Sequence, residues 1–142
     1  MKPIAFIDLA AQQQRIREKL DARIATVLDH GQYIMGQEVS RLEEELAEYC
    51  GVSHAISCSS GTDALMLGLI ALGVRPGDAV IVPSFTFAAT AEVLPCLGAI
   101  PVFADIDHAT FNLDPDGLEP ALAAASKAGV KTVGIIPVGL FG

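Results

Sequence analysis

Four short apolar runs, Ala55–Cys58, Ala79–Val82, Pro101–Ala104 and Thr132–Val138, constrain this chain more than any other feature. None shows the polar alternation of a strand with one face in water, so strands built from them must be covered on both faces. Helical stretches at Asp63–Leu72, Thr86–Leu97 and Pro115–Ala125 fall singly between them. Strands linked by single helices pair in parallel. Gly73 and Gly98 stand where helix C-caps belong, and Asp114-Pro115 supplies an N-cap followed by proline at the first helical position. The expected fold is α/β: a mostly parallel sheet with helices on both faces.

Ahead of that alternation the pattern differs. Residues 1–8 read as an extended arm with Pro3, Ile4, Phe6 and Ile7. A helix over Gln12–Leu28 carries Ile16, Leu20, Ile24 and Val27 on one stripe. His30-Gly31 stops it, and Gly31-Gln32-Tyr33-Ile34-Met35-Gly36 forms a loop between two glycines. A second amphipathic helix spans Gln37–Tyr49, with Glu43-Glu44-Glu45 as a solvated face, and Cys50-Gly51 ends it. The chain therefore divides into an arm with two helices (1–52) and an α/β portion (53–142), without internal repeats or a low-complexity linker.

Composition narrows the function classes. With 51% apolar residues spread evenly, disorder is excluded as the chain's ground state. Nine basic and seventeen acidic residues give a net charge of −8, and no Lys/Arg cluster interrupts it. Nucleic acid and anionic membrane are therefore poor partners. Cys50, Cys58 and Cys96 have no framework spacing, which fits a reducing compartment. No apolar run is long enough to span a bilayer, and the expected setting is the cytoplasm.

The stretch Cys58-Ser59-Ser60-Gly61-Thr62-Asp63-Ala64-Leu65 joins an apolar run to a helix through small and hydroxylated residues. Unpaired N–H groups and partial positive charge at a helix start make an anion site, and the Thr62 hydroxyl could join it. The plainer reading is that Ser60 or Thr62 caps the helix. Pro83-Ser84-Phe85-Thr86-Phe87 lies at the same end of the sheet. One of its two aromatics could stack on a flat ring, or both could be core. Asp105-Ile106-Asp107 could hold a metal with a diphosphate, although strand-end carboxylates more commonly solvate a turn or cap the next element. Cys50, His54 and Cys58 match no common zinc spacing. The chain has neither a Walker sequence nor Gly-x-Gly-x-x-Gly.

Taken together, these blocks resemble the DegT/DnrJ/EryC1/StrS family of pyridoxal-phosphate-dependent sugar aminotransferases. The resemblance rests on Phe6-Ile7-Asp8-Leu9, the Gly31–Gly36 loop, Ser60-Gly61-Thr62-Asp63-Ala64-Leu65, Pro83–Phe87, Phe103-Ala104-Asp105-Ile106-Asp107 and Pro137-Val138-Gly139-Leu140-Phe141-Gly142. Within the family the chain looks most like enzymes that aminate C3 of a UDP-linked 2-acetamido-3-keto uronic acid for surface polysaccharide. The resemblance implies that residues 53–142 form the first part of the large domain of the aspartate-aminotransferase type. It also implies that Gly61, Thr62 and Asp63 hold the cofactor phosphate through backbone amides and the Thr62 hydroxyl. Phe87 would cover one face of the pyridine ring, where relatives carry Tyr or Trp. Gly31 and Tyr33 would touch the nucleotide-sugar, in a site completed by the second subunit of a homodimer. Glutamate is the amino donor the resemblance implies.

Transamination also needs a lysine that anchors the cofactor and shuttles a proton, and a carboxylate beside the pyridinium nitrogen. In the family both lie downstream of position 142. Lys2 and Lys19 sit in the arm and first helix. Lys127 and Lys131 flank the turn into the last strand, on the opposite edge from the Gly61 turn. None suits the role, so this chain is expected to hold no catalytic residue and not to transaminate. A four-stranded sheet would also leave Val133, Ile135 and Ile136 along an unpaired apolar edge, so the chain reads as the front part of a longer protein. Two alternatives stay open. One is a regulatory module of the same family that captures a phosphorylated ligand without chemistry. The other is a metal-dependent glycosyltransferase using Asp105 and Asp107.

Overall fold

The computed structural model describes Ile4 and residues 6–142, so part of the expected arm, Met1, Lys2, Pro3 and Ala5, lies outside the described residues. The chain forms two compact units that divide between Ser57 and Cys58.

The first unit carries two helices. Helix α1 spans Leu9–His30, starting earlier than its apolar stripe because the Asp8 carboxylate caps it, accepting the Ala11 N–H at 2.9 Å. Gly31 ends it in the left-handed conformation (φ 67°), its N–H bonded to the Val27 carbonyl. Helix α2 spans Gln37–Cys50. The Glu43-Glu44-Glu45 run is more than a solvated face. Glu43 accepts both the N–H and the hydroxyl of Ser57 at 2.8 Å, and Glu45 pairs with Arg41 one turn back.

The second unit contains α3 (Gly61–Ala71), β1 (Asp78–Pro83), α4 (Ala89–Cys96), β2 (Ile100–Ala104), a 3-10 turn (Pro115–Gly117), α5 (Leu118–Lys127) and β3 (Lys131–Ile135). The strands make a three-stranded, all-parallel sheet in the order β2-β1-β3. The chain leaves β1 toward β2 and then returns past it to β3. Crossovers of one hand must then put their helices on opposite faces. The packing agrees: Val80 and Val82 of β1 pack with Leu69 of α3 and with Val93 and Leu94 of α4, whereas Ile81 packs with Ala121 of α5. β1 is consequently buried from Ala79 to Pro83, which accounts for its unalternated sequence.

Helices α3 and α4 close alike. Gly73 and Gly98, at φ 80° and 71°, donate to the carbonyls of Ile70 and Pro95, and the next residues, Val74 and Ala99, donate to Leu69 and Leu94. This pair of hydrogen bonds terminates each helix and seats the following apolar residue in the core that feeds the next strand.

Three expectations are corrected. Ala55–Cys58 is not a strand: a strand needs a ladder partner, and none pairs with this run among the described residues. The last strand stops at Ile135 rather than Val138, although the Ile136 N–H still reaches the Ile81 carbonyl at 2.9 Å. Helix α4 begins at Ala89 instead of Thr86, because the Ser84–Phe87 segment is a turn with bonds of its own. No helix among the described residues is long and apolar enough to cross a membrane.

Candidate functional site

Parallel strands direct their carboxyl ends to one edge, where α/β sheets take their ligands. Ser84 follows β1 there and Asp105 follows β2. A short turn leads from the end of α3 at Ala71 to the start of β1 at Asp78, so the other end of α3 lies toward the carboxyl edge, where Gly61 lines a groove with Ile136, the residue that follows β3.

Ser60 is the N-cap of α3, as the plainer reading of that turn expected. Its extended backbone (φ −159°, ψ 165°) places the hydroxyl to accept the Asp63 N–H at 3.1 Å, while its carbonyl takes the Ala64 N–H. The N–H groups of Gly61 and Thr62 and the Thr62 hydroxyl find no acceptor among the described residues, and both residues are exposed. Of the three residues expected to hold a phosphate, two thus present free donors, and the amide of Asp63 is given to the cap. The Asp63 carboxylate bonds the hydroxyls of Ser59 and Ser60. These two serines, Ser59 above all, hold the Asp63 carboxyl below its ordinary pKa. An ionised Asp63 also complements the positive end of α3. Of this set, Asp63 and Ser60 were expected from the sequence, but Ser59 and the bonding among the three were not; the signal for it was a serine pair three and four residues ahead of an aspartate.

The two aromatics after β1 part company. Phe85 packs on Phe111, ring centroids 5.6 Å apart. Phe87 is 74% exposed and stacks on no ring among the described residues, so it is not core. The turn carrying it is held at several points: the Ser84 N–H donates to Ala104 O at 2.8 Å, Ser84 Oγ to Asp105 Oδ1 at 3.1 Å, and the Thr90 N–H to Phe87 O at 3.0 Å. The Thr86 and Thr90 hydroxyls meet at 3.2 Å.

Asp105 and Asp107 serve separate local structures. Asp105 Oδ1 accepts from Ser84 and from the Ile106 N–H. Asp107 Oδ1 accepts the N–H groups of Ala109 and Thr110 and the Thr110 hydroxyl. The Thr110 hydroxyl, then its amide, pull the Asp107 carboxyl below its usual pKa. Among the described residues no group of three or more His, Cys, Asp or Glu is arranged for a metal.

Gly31 and Tyr33 belong to the first unit. Gly31 is the left-handed stop of α1, and Tyr33 is 66% exposed beside an apolar groove lined by Arg23, Ile24, Val27, Leu28 and Glu38. The loop between them and α2 is stapled by His30. Its Nδ1 accepts the Gln32 N–H at 3.0 Å, so Nε2 carries the proton of the neutral ring and donates it to Glu38 Oε1 at 3.1 Å. The amide of Glu38 itself, and next His30, hold that carboxyl below its ordinary value. Of the lysines, Lys2 lies outside the described residues and Lys19 sits within α1. Lys127 ends α5, and Lys131 pairs with Asp78 at the amino-terminal edge of the sheet, away from the strand ends.

A phosphate monoester needs several donors close together, and the adjacent residues Gly61 and Thr62 leave two amides and a hydroxyl free at a helix start. A flat aromatic ring needs an uncovered apolar face, and Phe87 supplies one. The residues at this edge fit pyridoxal phosphate.

The sequence profile of the DegT/DnrJ/EryC1/StrS aminotransferase family matches residues 14–142. Over 139 residues the chain is 55% identical to the UDP-2-acetamido-2-deoxy-3-oxo-D-glucuronate aminotransferase of Pseudomonas aeruginosa, which covers 98% of this chain and 37% of that protein. Its fold is similar to the crystal structure of a DegT DnrJ EryC1 StrS aminotransferase from Brucella abortus, with a TM-score of 0.92 and 51% identity over 99% of this chain and 38% of that one. It is also similar to NtdA from Bacillus subtilis with bound cofactor PMP, at a TM-score of 0.87 and 32% identity over 100% of this chain and 32% of that one. The chain thus spans 37% of the length of the Pseudomonas relative.

Proposed function

The chain belongs to the DegT/DnrJ/EryC1/StrS aminotransferase family, and on that premise we propose that it is the N-terminal portion of a pyridoxal-phosphate-dependent enzyme that aminates a keto sugar nucleotide. The observation that carries this reading is the pair of unspent amides and the free hydroxyl at the start of α3, on the edge that also bears the exposed ring of Phe87. When bound, pyridoxal phosphate supplies the electron sink that lets an amino group pass from donor to keto sugar.

This chain's own residues bind and orient. The Gly61 and Thr62 amides and the Thr62 hydroxyl grip the phosphate; Asp63 contributes by keeping the turn closed through Ser59 and Ser60. Phe87 covers one face of the ring. Gly31 and Tyr33 contact the nucleotide-sugar. The identity with a UDP-2-acetamido-2-deoxy-3-oxo-D-glucuronate aminotransferase favours a UDP-linked 3-keto sugar as substrate, for surface polysaccharide, with glutamate as donor. The complete protein works in the cytoplasm as a homodimer. Its anchoring lysine lies in the length that the relatives have beyond this chain.

Borohydride treatment of the complete protein loaded with pyridoxal phosphate tests the reading. The expected product is a cofactor fixed on a lysine outside residues 1–142. Reversible binding with no lysine ever fixed would favour a ligand-capturing regulatory module instead, and no binding at all would overturn the assignment.

A further inference from the structure

Each strand of the sheet is followed by a segment that gives one phenylalanine to a single cluster: Phe85 after β1, Phe111 after β2 and Phe141 after β3. Phe111 is the middle ring. It lies 5.6 Å from Phe85, tilted by 45°, and 5.4 Å from Phe141, edge-on at 80°. Its backbone has φ 60°, in the left-handed region that a phenylalanine rarely occupies. Such a conformation persists only where the surroundings over-determine it.

Here they do. The Phe111 N–H donates to Asp107 O and the Asp107 N–H donates to Asn112 O, both at 2.8 Å, so the loop is closed by two backbone bonds around Phe111. Asp107 Oδ1 collects three further donors inside the same loop. The turn after β1 is also fastened at Ser84, to Ala104 and Asp105. Between these two fastened segments the contact is ring on ring, Phe111 against Phe85, and Phe87 follows two residues later.

We propose that Phe111 is a positioning residue whose ring, held between Phe85 and Phe141, fixes the turn after β1 so that Phe87 offers its open face to the flat ring of the cofactor. This rests on Phe87 being the residue that covers that ring. Asp105 and Asp107, which on sequence alone could have been metal ligands, are the fasteners of the brace. The strained backbone at Phe111 is the cost of bringing a ring from the β2 loop to the β1 turn.

The experiment uses the complete protein and reads the pyridoxal phosphate dissociation constant by absorbance, together with the circular dichroism of the bound cofactor, which reports how rigidly its ring is held. Phe111→Gly keeps the left-handed backbone accessible and removes the ring. Phe85→Leu removes the other partner from a position without a positive φ, and it decides the matter if the glycine variant does not accumulate. Phe85→Leu should raise the dissociation constant about tenfold, the scale of one lost aromatic pair. Phe111→Gly, which loses two pairs, should raise it at least as much, and both should weaken the dichroic band, whereas Phe111→Tyr should stay within about twofold of the parent. Unchanged affinity and dichroism in both ring-less variants would overturn the proposal, as would a loss in Phe111→Tyr equal to that in Phe111→Gly. Failure of the parent protein to bind the cofactor would instead refute the reading of the site.

Discussion

Asp107 illustrates how a single residue's role is set by donors that its own position does not reveal. Paired strand-end carboxylates can hold a cation, although they more commonly serve a turn. Thr110 and Ala109 decide, because their N–H groups and the Thr110 hydroxyl close on Asp107 Oδ1. These bonds favour the ionised form, so the folded-state pKa lies below the unfolded one. The stabilisation is therefore present above the unfolded carboxylate range, about 3.9, and is lost as pH falls through the lower folded value. Asp107→Asn keeps an acceptor oxygen and removes the titration. Its melting temperature should fall less steeply than the parent's below about pH 4, as thermal melts across pH 2.5–6 (roughly the carboxylate range) would read. Identical slopes would mean that the carboxylate does not close the loop. Asp63 follows the same logic: its place beside two serines was legible, but that its amide is given to the cap and its carboxylate to Ser59 and Ser60 was not.

At the scale of elements, the helices and their glycine stops were visible, and the starts of α1 and α4 were not. Periodicity located α1 and α2 and Gly31 marked the end of α1, but the cap by Asp8 that sets its start was missed. The Gly31–Gly36 loop shows why its second glycine is there. Gly36 is buried, and a Cβ on it would meet the Gln32 carbonyl oxygen well inside contact distance. Gly36→Ala should therefore open the loop that carries Tyr33, costing about 1–3 kcal/mol of stability and weakening nucleotide-sugar binding in the complete protein more than cofactor binding. Thermal melts with titration of both ligands check this; a variant as stable as the parent would show that the loop yields. Ala55–Cys58 failed as a strand for the opposite reason, since its propensity was adequate and its partner missing. Phe111 was not legible at all, because a left-handed phenylalanine leaves no trace in periodicity.

Across the whole molecule, the unalternated run Ala79–Val82 foretold a strand covered on both faces, which β1 is, whereas β3 alternates in burial along the sheet edge. Strand order was beyond reach: nothing local says that β3 returns past β1 instead of continuing beyond β2. The candidate site was legible further than the topology, because a helix start rich in small residues carries its anion chemistry wherever it is placed. The central claim, that amides at the start of α3 hold the phosphate of pyridoxal phosphate, can be tested on the backbone itself. Gly61 is the first residue of α3, where proline is tolerated, and Ser60 before it is already extended, as proline requires. Gly61→Pro thus deletes one N–H and leaves the helix standing, while Gly61→Ala keeps the N–H and adds a Cβ that meets nothing within 4 Å. In the complete protein the proline variant should bind pyridoxal phosphate about tenfold to a hundredfold more weakly, the scale of a lost bond to a charged group. Its affinity for pyridoxal, which lacks the phosphate, should be unchanged, and the alanine variant should match the parent. Equal affinity of the proline variant and the parent for pyridoxal phosphate would contradict the account.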